Sequence, residues 1–423
     1  MRGTTAPSKT ETNVRKGNRK RKRICFFGHF GSPNFGNEIT FQTVLHHVRC
    51  LLPDTEVACI CTEPKTLAAT QKIETVPISR DFVKPGKLRS RLARLLRRVF
   101  IRLPSELLCC LEALKTLKRA DALIIPGTGL LTDAYGLTGW GPYNLFKWSL
   151  IARMCRCKVL FVSVGAGPVY SALGKYFVMS ALSWADYRSY RDNASLEYLK
   201  SIGLPVNSDR VYPDLVFSLP EAMLRYDGQR QARRSIVGIG LMPYAGKYSV
   251  AKPSDSTHRK YLESMVAFAQ WLLTHDYDIR LLIGEVSDRD TSAEFKSLLK
   301  ASLDQYDEQR IIDQAAVSVE QLLPQIAATD MVVATRFHNI VLALLLNKPV
   351  ISISFHHKCT SLMEEMGFSE YCQDINHMDA GRLIEQFQEL EKNADKLKPV
   401  IRQKVEQSQK ALDEQYSVIF KNV

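Results

Sequence analysis

Arg336, His338 and Lys358 are the residues whose types and spacing best allow shared chemistry. Arg336 and His338 stand in Thr335-Arg336-Phe337-His338-Asn339, and Lys358 ends the run Ser354-Phe355-His356-His357-Lys358. An arginine offers a planar fork to a carboxylate or phosphate, and a lysine offers a point charge. A histidine can take up and release a proton near physiological pH. This is the equipment for binding a small anion and moving a proton beside it.

The elements around them bring the three together. Met331 to Ala334 reads as a buried strand, Asn339 to Leu346 as a buried helix and Val350 to Ser354 as a second buried strand. Arg336 and His338 then occupy a strand-to-helix turn, and Lys358 leaves the next strand at the same edge. In an open parallel sheet such turns lie beyond the carboxyl ends of the strands, where ligands bind, and the free N–H groups of the following helix favour negative charge. Each residue also has a plainer reading. Arg336 would serve a surface salt bridge, His338 would be a core histidine satisfied by a carbonyl beside apolar Phe337 and Ile340, and Lys358 would be a solvated lysine at a strand end.

The whole chain alternates in the same way. Ile24 to Phe27, Val57 to Cys61, Ala122 to Ile125, Val159 to Val164 and Tyr187 to Ser189 form one series of expected strands separated by helices. Ile236 to Leu241, Ile279 to Ile283, Arg310 to Ile312, Met331 to Ala334 and Val350 to Ser354 form another. The expected fold class is α/β, with two Rossmann-like doubly wound domains facing a cleft. The boundaries follow as a basic disordered tail at 1–23, a first domain at 24–220, a polar linker at 221–235, a second, donor-binding domain at 236–380 and a helical segment at 381–423. The glycines of Gly28 to Glu38 match neither a dinucleotide fingerprint nor a P-loop, which disfavours a nicotinamide or ATP site.

Charge narrows the partners. The net charge of +13 comes from 57 Lys and Arg against 44 Asp and Glu. Seven bases between Arg15 and Arg23 and eight between Lys84 and Arg102 leave 42 against 44, so the body of the protein is close to neutral and a nucleic-acid partner is disfavoured. The second block lies in a basic insert at 84–119, where Leu88, Leu92, Leu95, Leu96, Val99 and Leu103 recur at helical spacing between arginines. Such a helix suits an anionic membrane surface, and equally a packed helix with a solvated basic face. No signal peptide or membrane span is apparent, and the ten cysteines lack metal-ligand spacing, which reads as reduced thiols in a cytoplasmic protein.

Three segments in order carry a family resemblance. Thr335-Arg336-Phe337-His338, with Pro349-Val350-Ile351 and His357-Lys358, resembles the C-terminal signature of the polysaccharide pyruvyl transferases. Arg191-Asp192-Asn193-Ala194-Ser195 with Leu199 resembles that family's Arg-Asp-x-x-Ser-x-x-x-Leu element, and Pro126-Gly127-Thr128-Gly129-Leu130 is similar to its glycine-rich turn. Asn34-Phe35-Gly36-Asn37-Glu38 is similar to an Asn-x-Gly-Asp-Glu element, with Asn37 in place of the acid. The resemblance runs from about Ile24 to about Gly367. It implies a bilobal GT-B-like fold. It makes Arg191 the first donor-binding arginine and Lys358 an anion-binding lysine, and it points to phosphoenolpyruvate as donor, with no cofactor and no metal.

The expected reaction moves the enolpyruvyl carbons of phosphoenolpyruvate onto a sugar of a cell-envelope or exported polysaccharide, or its lipid-linked precursor. Protonation at the methylene carbon creates an oxocarbenium-like centre, two neighbouring sugar hydroxyls attack it in turn, and phosphate leaves. His338 is the expected general acid, while Arg191, Arg336 and Lys358 hold phosphate and carboxylate. Asp133 and Glu38 are the candidates for the base, and Asp133 could instead cap a helix. Asp192, Ser195 and Asp214 read as supports. The alternatives are a GT-B glycosyltransferase using a sugar nucleotide, with Glu364-Glu365 placed to hold hydroxyls, and a noncatalytic anion-binding membrane scaffold. A peripheral place on the inner membrane face follows if the basic segments bind lipid.

Overall fold

The computed structural model describes residues 21–79, 103–134, 136, 141–206, 208–225, 234–244, 255–303, 307–314, 316–421 and 423. Most of the basic tail, the basic part of the insert at 84–102 and much of the linker, 226–233, lie outside these residues.

Short apolar runs buried on both faces make the strands, as parallel sheets require. The first domain contains β1 (Arg23–Gly28), α1 (Phe35–Leu51), β2 (Glu56–Cys61), α2 (Pro64–Gln71), β3 (Glu74–Pro77), α3 (Leu103–Leu117), β4 (Ala122–Pro126), α4 (Pro142–Met154), β5 (Lys158–Val164), α5 (Ala172–Ser183), β6 (Tyr187–Tyr190), α6 (Asn193–Ser201) and β7 (Arg210–Val211). A short helix, α7 (Glu221–Leu224), follows. The second domain contains β8 (Ile236–Gly240), α8 (Asp255–Thr274), β9 (Asp278–Leu282), α9 (Asp288–Ala301), β10 (Ile311–Ile312), α10 (Val319–Ala327), β11 (Met331–Ala334), α11 (Phe337–Leu345), β12 (Val350–Ser354), α12 (His357–Met366), β13 (Cys372–Asp374), α13 (Ala380–Lys392) and α14 (Ala394–Lys421).

The sheet orders are β3-β2-β1-β4-β5-β6-β7 and β10-β9-β8-β11-β12-β13, and the strand pairs are parallel throughout. Each order reverses once, between β1 and β4 and between β8 and β11. Ligands of doubly wound sheets bind at such switch points. The loops after β1, β4 and β11 therefore converge on the cleft.

Two features tie the domains together. The loop after β1 meets the loop after β9 through an antiparallel bridge, Asn34 to Glu285. There Phe35 N–H donates to Gly284 O at 3.0 Å and Val286 N–H to Pro33 O at 3.2 Å. The second tie is α14, which returns to the first domain instead of ending as an appendage after residue 380. Its buried Tyr416 stacks on His47 at 4.3 Å and shares a hydrogen bond with Ser218 at 2.9 Å. Gln415 accepts from Ser163 Oγ at 3.2 Å and donates to Ser189 Oγ at 2.7 Å. Truncating a fully buried aromatic costs about 3–5 kcal/mol, so this strap is a main contributor to holding the cleft.

Candidate functional site

The turn after β11 is fixed before any functional group is placed. Thr335 is buried and its hydroxyl shares a hydrogen bond with Tyr261 at 2.8 Å. Arg336 then takes the N-cap position of α11 in extended geometry, so the helix begins at Phe337, two residues earlier than expected from the apolar run. Its guanidinium turns onto the protein's own carboxylates. Nε donates to both Asp288 oxygens at 3.1 Å, and Nη1 pairs with Glu285 at 3.1 Å. Asp288 is fully buried and also accepts the N–H groups of Gly284 and Glu285 at 2.9 Å each. Burial raises its pKa, and Arg336 opposes that shift. Arg336 lines the pocket, but the fork expected to face a donor is turned mainly onto acids of its own domain.

Arg191 reaches the same place from the end of β6. Its Nη1 donates to Asp214 at 3.3 Å and its guanidinium lies over the Phe337 ring at 4.7 Å. Gly165 is required beneath it, since a Cβ there would come within 2.5 Å of Arg191 Nη2. Asp192 caps α6 by accepting from Ser195 N at 2.7 Å, Ser195 Oγ accepts from Ala166 N at 2.9 Å, and Asp214 accepts from Val216 N at 3.0 Å. These three are supports, as expected from the sequence.

Lys358, the second residue of α12, holds its ammonium over Phe337 at 5.3 Å and Phe355 at 5.1 Å and makes no ion pair among the described residues. Burial first, then Arg191 and Arg336, bring its pKa down to about 8 against the pull of Cys359. The N-terminal end of a helix dipole acts in the same direction. A donor that needs the ammonium charged should bind less tightly above about pH 8, falling about tenfold per pH unit until the complex itself titrates. Titration calorimetry from pH 7 to pH 10 measures this, and a flat profile would remove Lys358 from the anion site.

His338 stands across the cleft from Gly36, where a Cβ would come within 2.0 Å of His338 Nδ1. Only glycine allows that approach of the two domains. Burial pushes the His338 pKa down to about 4; Asp214 pulls it up, and Lys358, Arg191 and Arg336 push it further down. As it stands the ring is neutral at pH 7, not poised near neutrality as expected. Its Nε2 is buried without a partner.

These groups line a cavity of about 90 Å³ together with Asn34, Asn37, Thr128 and Phe355. Thr128 was not expected from the sequence as a site residue, although its turn stood out; it is 4% exposed and its hydroxyl has no partner. A second lobe of about 90 Å³, formed by residues 165–168 and His356, shares Arg191, Phe355 and Lys358 with the first. Sequence spacing did not single out His356 either. Its ring accepts the Lys358 N–H through Nδ1 at 3.2 Å, which places the proton on Nε2, and burial next to Lys358 takes its pKa to about 2.

The candidate bases fall elsewhere. Asp133 accepts from Tyr170 N at 2.7 Å, Ser171 N at 2.9 Å and Ser171 Oγ at 2.6 Å. Burial raises its pKa, but these hydrogen bonds outweigh that and hold it below the usual range. A saturated, weakly basic carboxylate anchoring the start of α5 fits the helix-capping alternative better than a base. Glu38 accepts from Gly31 N at 2.6 Å and faces a separate groove on the other side of the α1 turn, outside the cationic cavity. Glu364 and Glu365 lie outside this cavity on α12, and Glu365 lines a further small cavity beside Arg191 and Lys358, where burial and then Asp192 raise its pKa to about 7.

The profile of the polysaccharide pyruvyl transferase family matches residues 34–357. The chain belongs to that family. Among curated relatives, the amylovoran biosynthesis protein AmsJ of Erwinia amylovora is 21% identical over 308 residues, spanning 69% of this chain and 70% of AmsJ. Among solved structures, a putative UDP-N-acetylglucosamine 2-epimerase from Listeria monocytogenes aligns with TM-score 0.60 at 9% identity, over 90% of this chain and 91% of that one. MurG of Acinetobacter baumannii aligns with TM-score 0.52 at 13% identity, over 95% and 99%. At such identities these structures establish the GT-B-like fold alone. This polysaccharide pyruvyl transferase family member is thus a transferase, and among its described residues no helix is long and apolar enough to cross a membrane.

Glu285 shields the site's arginine. Its carboxylate pairs with Arg336 and accepts from Asn34 Nδ2 at 3.3 Å. Glu285→Gln keeps an acceptor for Asn34 and leaves Asp288 paired, so donor affinity should tighten about threefold to tenfold, the scale of a partly exposed ion pair. A dissociation constant unchanged or weakened in calorimetry would show that Arg336 does not meet the donor. Arg336→Ala is the poorer probe, because stranding buried Asp288 would cost about 3–5 kcal/mol of stability.

Proposed function

We propose that the protein transfers the enolpyruvyl group of phosphoenolpyruvate to two hydroxyls of a polysaccharide or its lipid-linked precursor, giving a pyruvate ketal and phosphate. The observation that carries this reading is the pair of small cationic lobes sharing Arg191 and Lys358. Phosphoenolpyruvate has two anionic ends on a three-carbon frame, and two compact lobes with shared cations suit it. Pockets for larger ligands run to roughly 300–1,000 Å³. A sugar nucleotide, the alternative donor, is therefore poorly matched to lobes of about 90 Å³ each.

In this reading Arg191 and Lys358 hold the phosphate and carboxylate, with the cavity-facing edge of Arg336 and Thr128 as further donors. His338 delivers the proton to the methylene carbon. Burial depresses His338 most and the neighbouring cations add to it; the donor's negative charge offsets those cations and favours the protonated ring as the donor binds. One hydroxyl oxygen then attacks the cationic carbon, phosphate leaves with the cations around it, and the second hydroxyl attacks the carbon so regenerated; of the two hydroxyl protons, one restores His338 and the other departs with the phosphate.

Inorganic phosphate release from phosphoenolpyruvate, assayed against lipid-linked and polymeric glycans, tests the reaction. Release dependent on a glycan supports it. Turnover of a sugar nucleotide with no phosphate release from phosphoenolpyruvate would replace it with the glycosyltransferase reading.

Lipid attachment belongs to the same proposal. Residues 1–23 and Arg91, Arg94, Arg97 and Arg98 should contribute roughly 1 kcal/mol per base near an anionic bilayer, screened by salt. Deleting the tail and neutralising those arginines should reduce flotation with anionic vesicles and leave donor binding unchanged. Flotation insensitive to salt would remove the membrane role.

A further inference from the structure

The first turn of α1 is a wall with two sides. Asn34, Gly36 and Asn37 face the cationic cavity, while Pro33, Phe35 and Glu38 face a groove of about 400 Å³. Both domains build that groove, from α1 and α2 on one side and residues 317–320 at the start of α10 on the other. Its size lies within the roughly 300–1,000 Å³ of ordinary ligand sites. Charge separates it sharply from its neighbour: among the described residues no Lys or Arg lines the groove, and no Asp or Glu lines the cationic cavity.

The groove's polar groups suit an uncharged polyol. Gln42 Nε2 donates to Glu320 Oε1 at 3.0 Å, which fixes the amide so that its Oε1 is buried without a partner among the described residues. That oxygen can accept only from an arriving donor. Glu38 offers a second acceptor; burial brings its pKa up to about 7 against the N–H groups of Gly31 and Ser32, so near neutrality it can accept or donate. Thr70 adds a hydroxyl, and exposed Pro33 and Val317 give the apolar surface on which a sugar ring face can rest. A phosphate or carboxylate would meet Glu38 and Glu320 with no cation to offset them.

We propose that this groove is the acceptor subsite, holding a neutral sugar residue of the glycan by Glu38, Gln42 and Glu320 on the far side of the α1 turn from the anionic donor. It rests on the reading that the acceptor is a glycan. In this arrangement Asn34 to Glu38 keep the bound sugar and the donor apart by one turn of helix, so the groove grips a sugar of the glycan other than the one whose hydroxyls are pyruvylated. Domain closure also gains a role in acceptor binding, since Glu320 and Gln42 come from different domains.

The test uses the full chain and methyl glycosides of galactose, glucose and mannose as probes, read by saturation-transfer NMR. At least one glycoside should show transfer, and its affinity should weaken at least about fivefold in both Gln42→Leu and Glu320→Ala, near the effect of one lost hydrogen bond. Glu320 is exposed, so its variant keeps the fold. The thermal shift given by phosphoenolpyruvate should be unaltered in both. No transfer from any glycoside to the unaltered protein, or transfer undiminished in either variant, would overturn the proposal. Groove-dependent transfer without a phosphoenolpyruvate shift would keep the subsite and remove the donor reading, whereas the shift without transfer would do the reverse.

Discussion

Lys358→Met should abolish most turnover and donor binding while raising the melting temperature. The lysine ammonium sits beside Arg191 and Arg336 without an ion pair among the described residues, and burial with these like charges takes its pKa from 10.5 to about 8. A group whose charged form is disfavoured in the fold costs stability wherever that form is present. For Lys358 the cost is complete below pH 8 and disappears above the unfolded pKa of 10.5. At pH 7 it is on the order of 2 kcal/mol. Methionine keeps the apolar stem over Phe337 and Phe355 and removes the charge, so the variant should melt a few degrees higher. Turnover should fall on the order of 10²–10³-fold, as when a preorganised charge is taken from a developing anion. The alkaline decline in donor affinity should vanish with it. Calorimetry with and without phosphoenolpyruvate reads both quantities, and a lower melting temperature would mean that the ammonium is stabilised in the fold after all. A stability gain coupled to a functional loss is the mark of a residue kept for its site.

The sequence made the centres of both sheets legible and their margins obscure. β1, β4, β5, β8, β11 and β12 are apolar on both faces and show as continuous runs. β3, β7 and β13 lie at or next to sheet edges, are two to four residues long and carry polar residues, so no run betrays them. The convergence of Arg336, His338 and Lys358 was legible because alternating strands and helices put them at neighbouring strand ends, whereas Arg191 entered through the family resemblance. What Arg336 does there was not. Its partner Asp288 lies 48 positions away at the start of a charged helix, and nothing local marks it as buried. Glu38 was misplaced because Gly36 and Asn37 turn into the cationic cavity while Phe35 and Glu38, a helical step away, turn into the groove. Periodicity tells which residues share a helix face but not which neighbour that face meets, and the same gap hid the return of α14 onto Ser163, Ser189 and Ser218.

His338→Gln should retain donor binding and lose about 10²–10⁴-fold in turnover, the range for a general acid that acts in the transition state. The depressed pKa sharpens the expectation. With a value of about 4 in the protein, His338 must gain its proton together with the anionic donor. Protonated His338 therefore favours the complex, and the affinity of the unaltered protein should rise relative to the glutamine variant as pH falls from neutrality towards pH 4. Stability moves the other way. The fold prefers the neutral ring, so the histidine's contribution is present above the unfolded value of 6.5 and is lost as pH falls through about 4, a change on the order of 2 kcal/mol that the variant should lack. Binding that gains in acid and a fold that weakens in acid, both dependent on one ring, is a signature that a packed structural histidine would not give. Turnover that stays normal in His338→Gln would assign the proton to another group, and His356, which lines the second lobe, would be the next to replace.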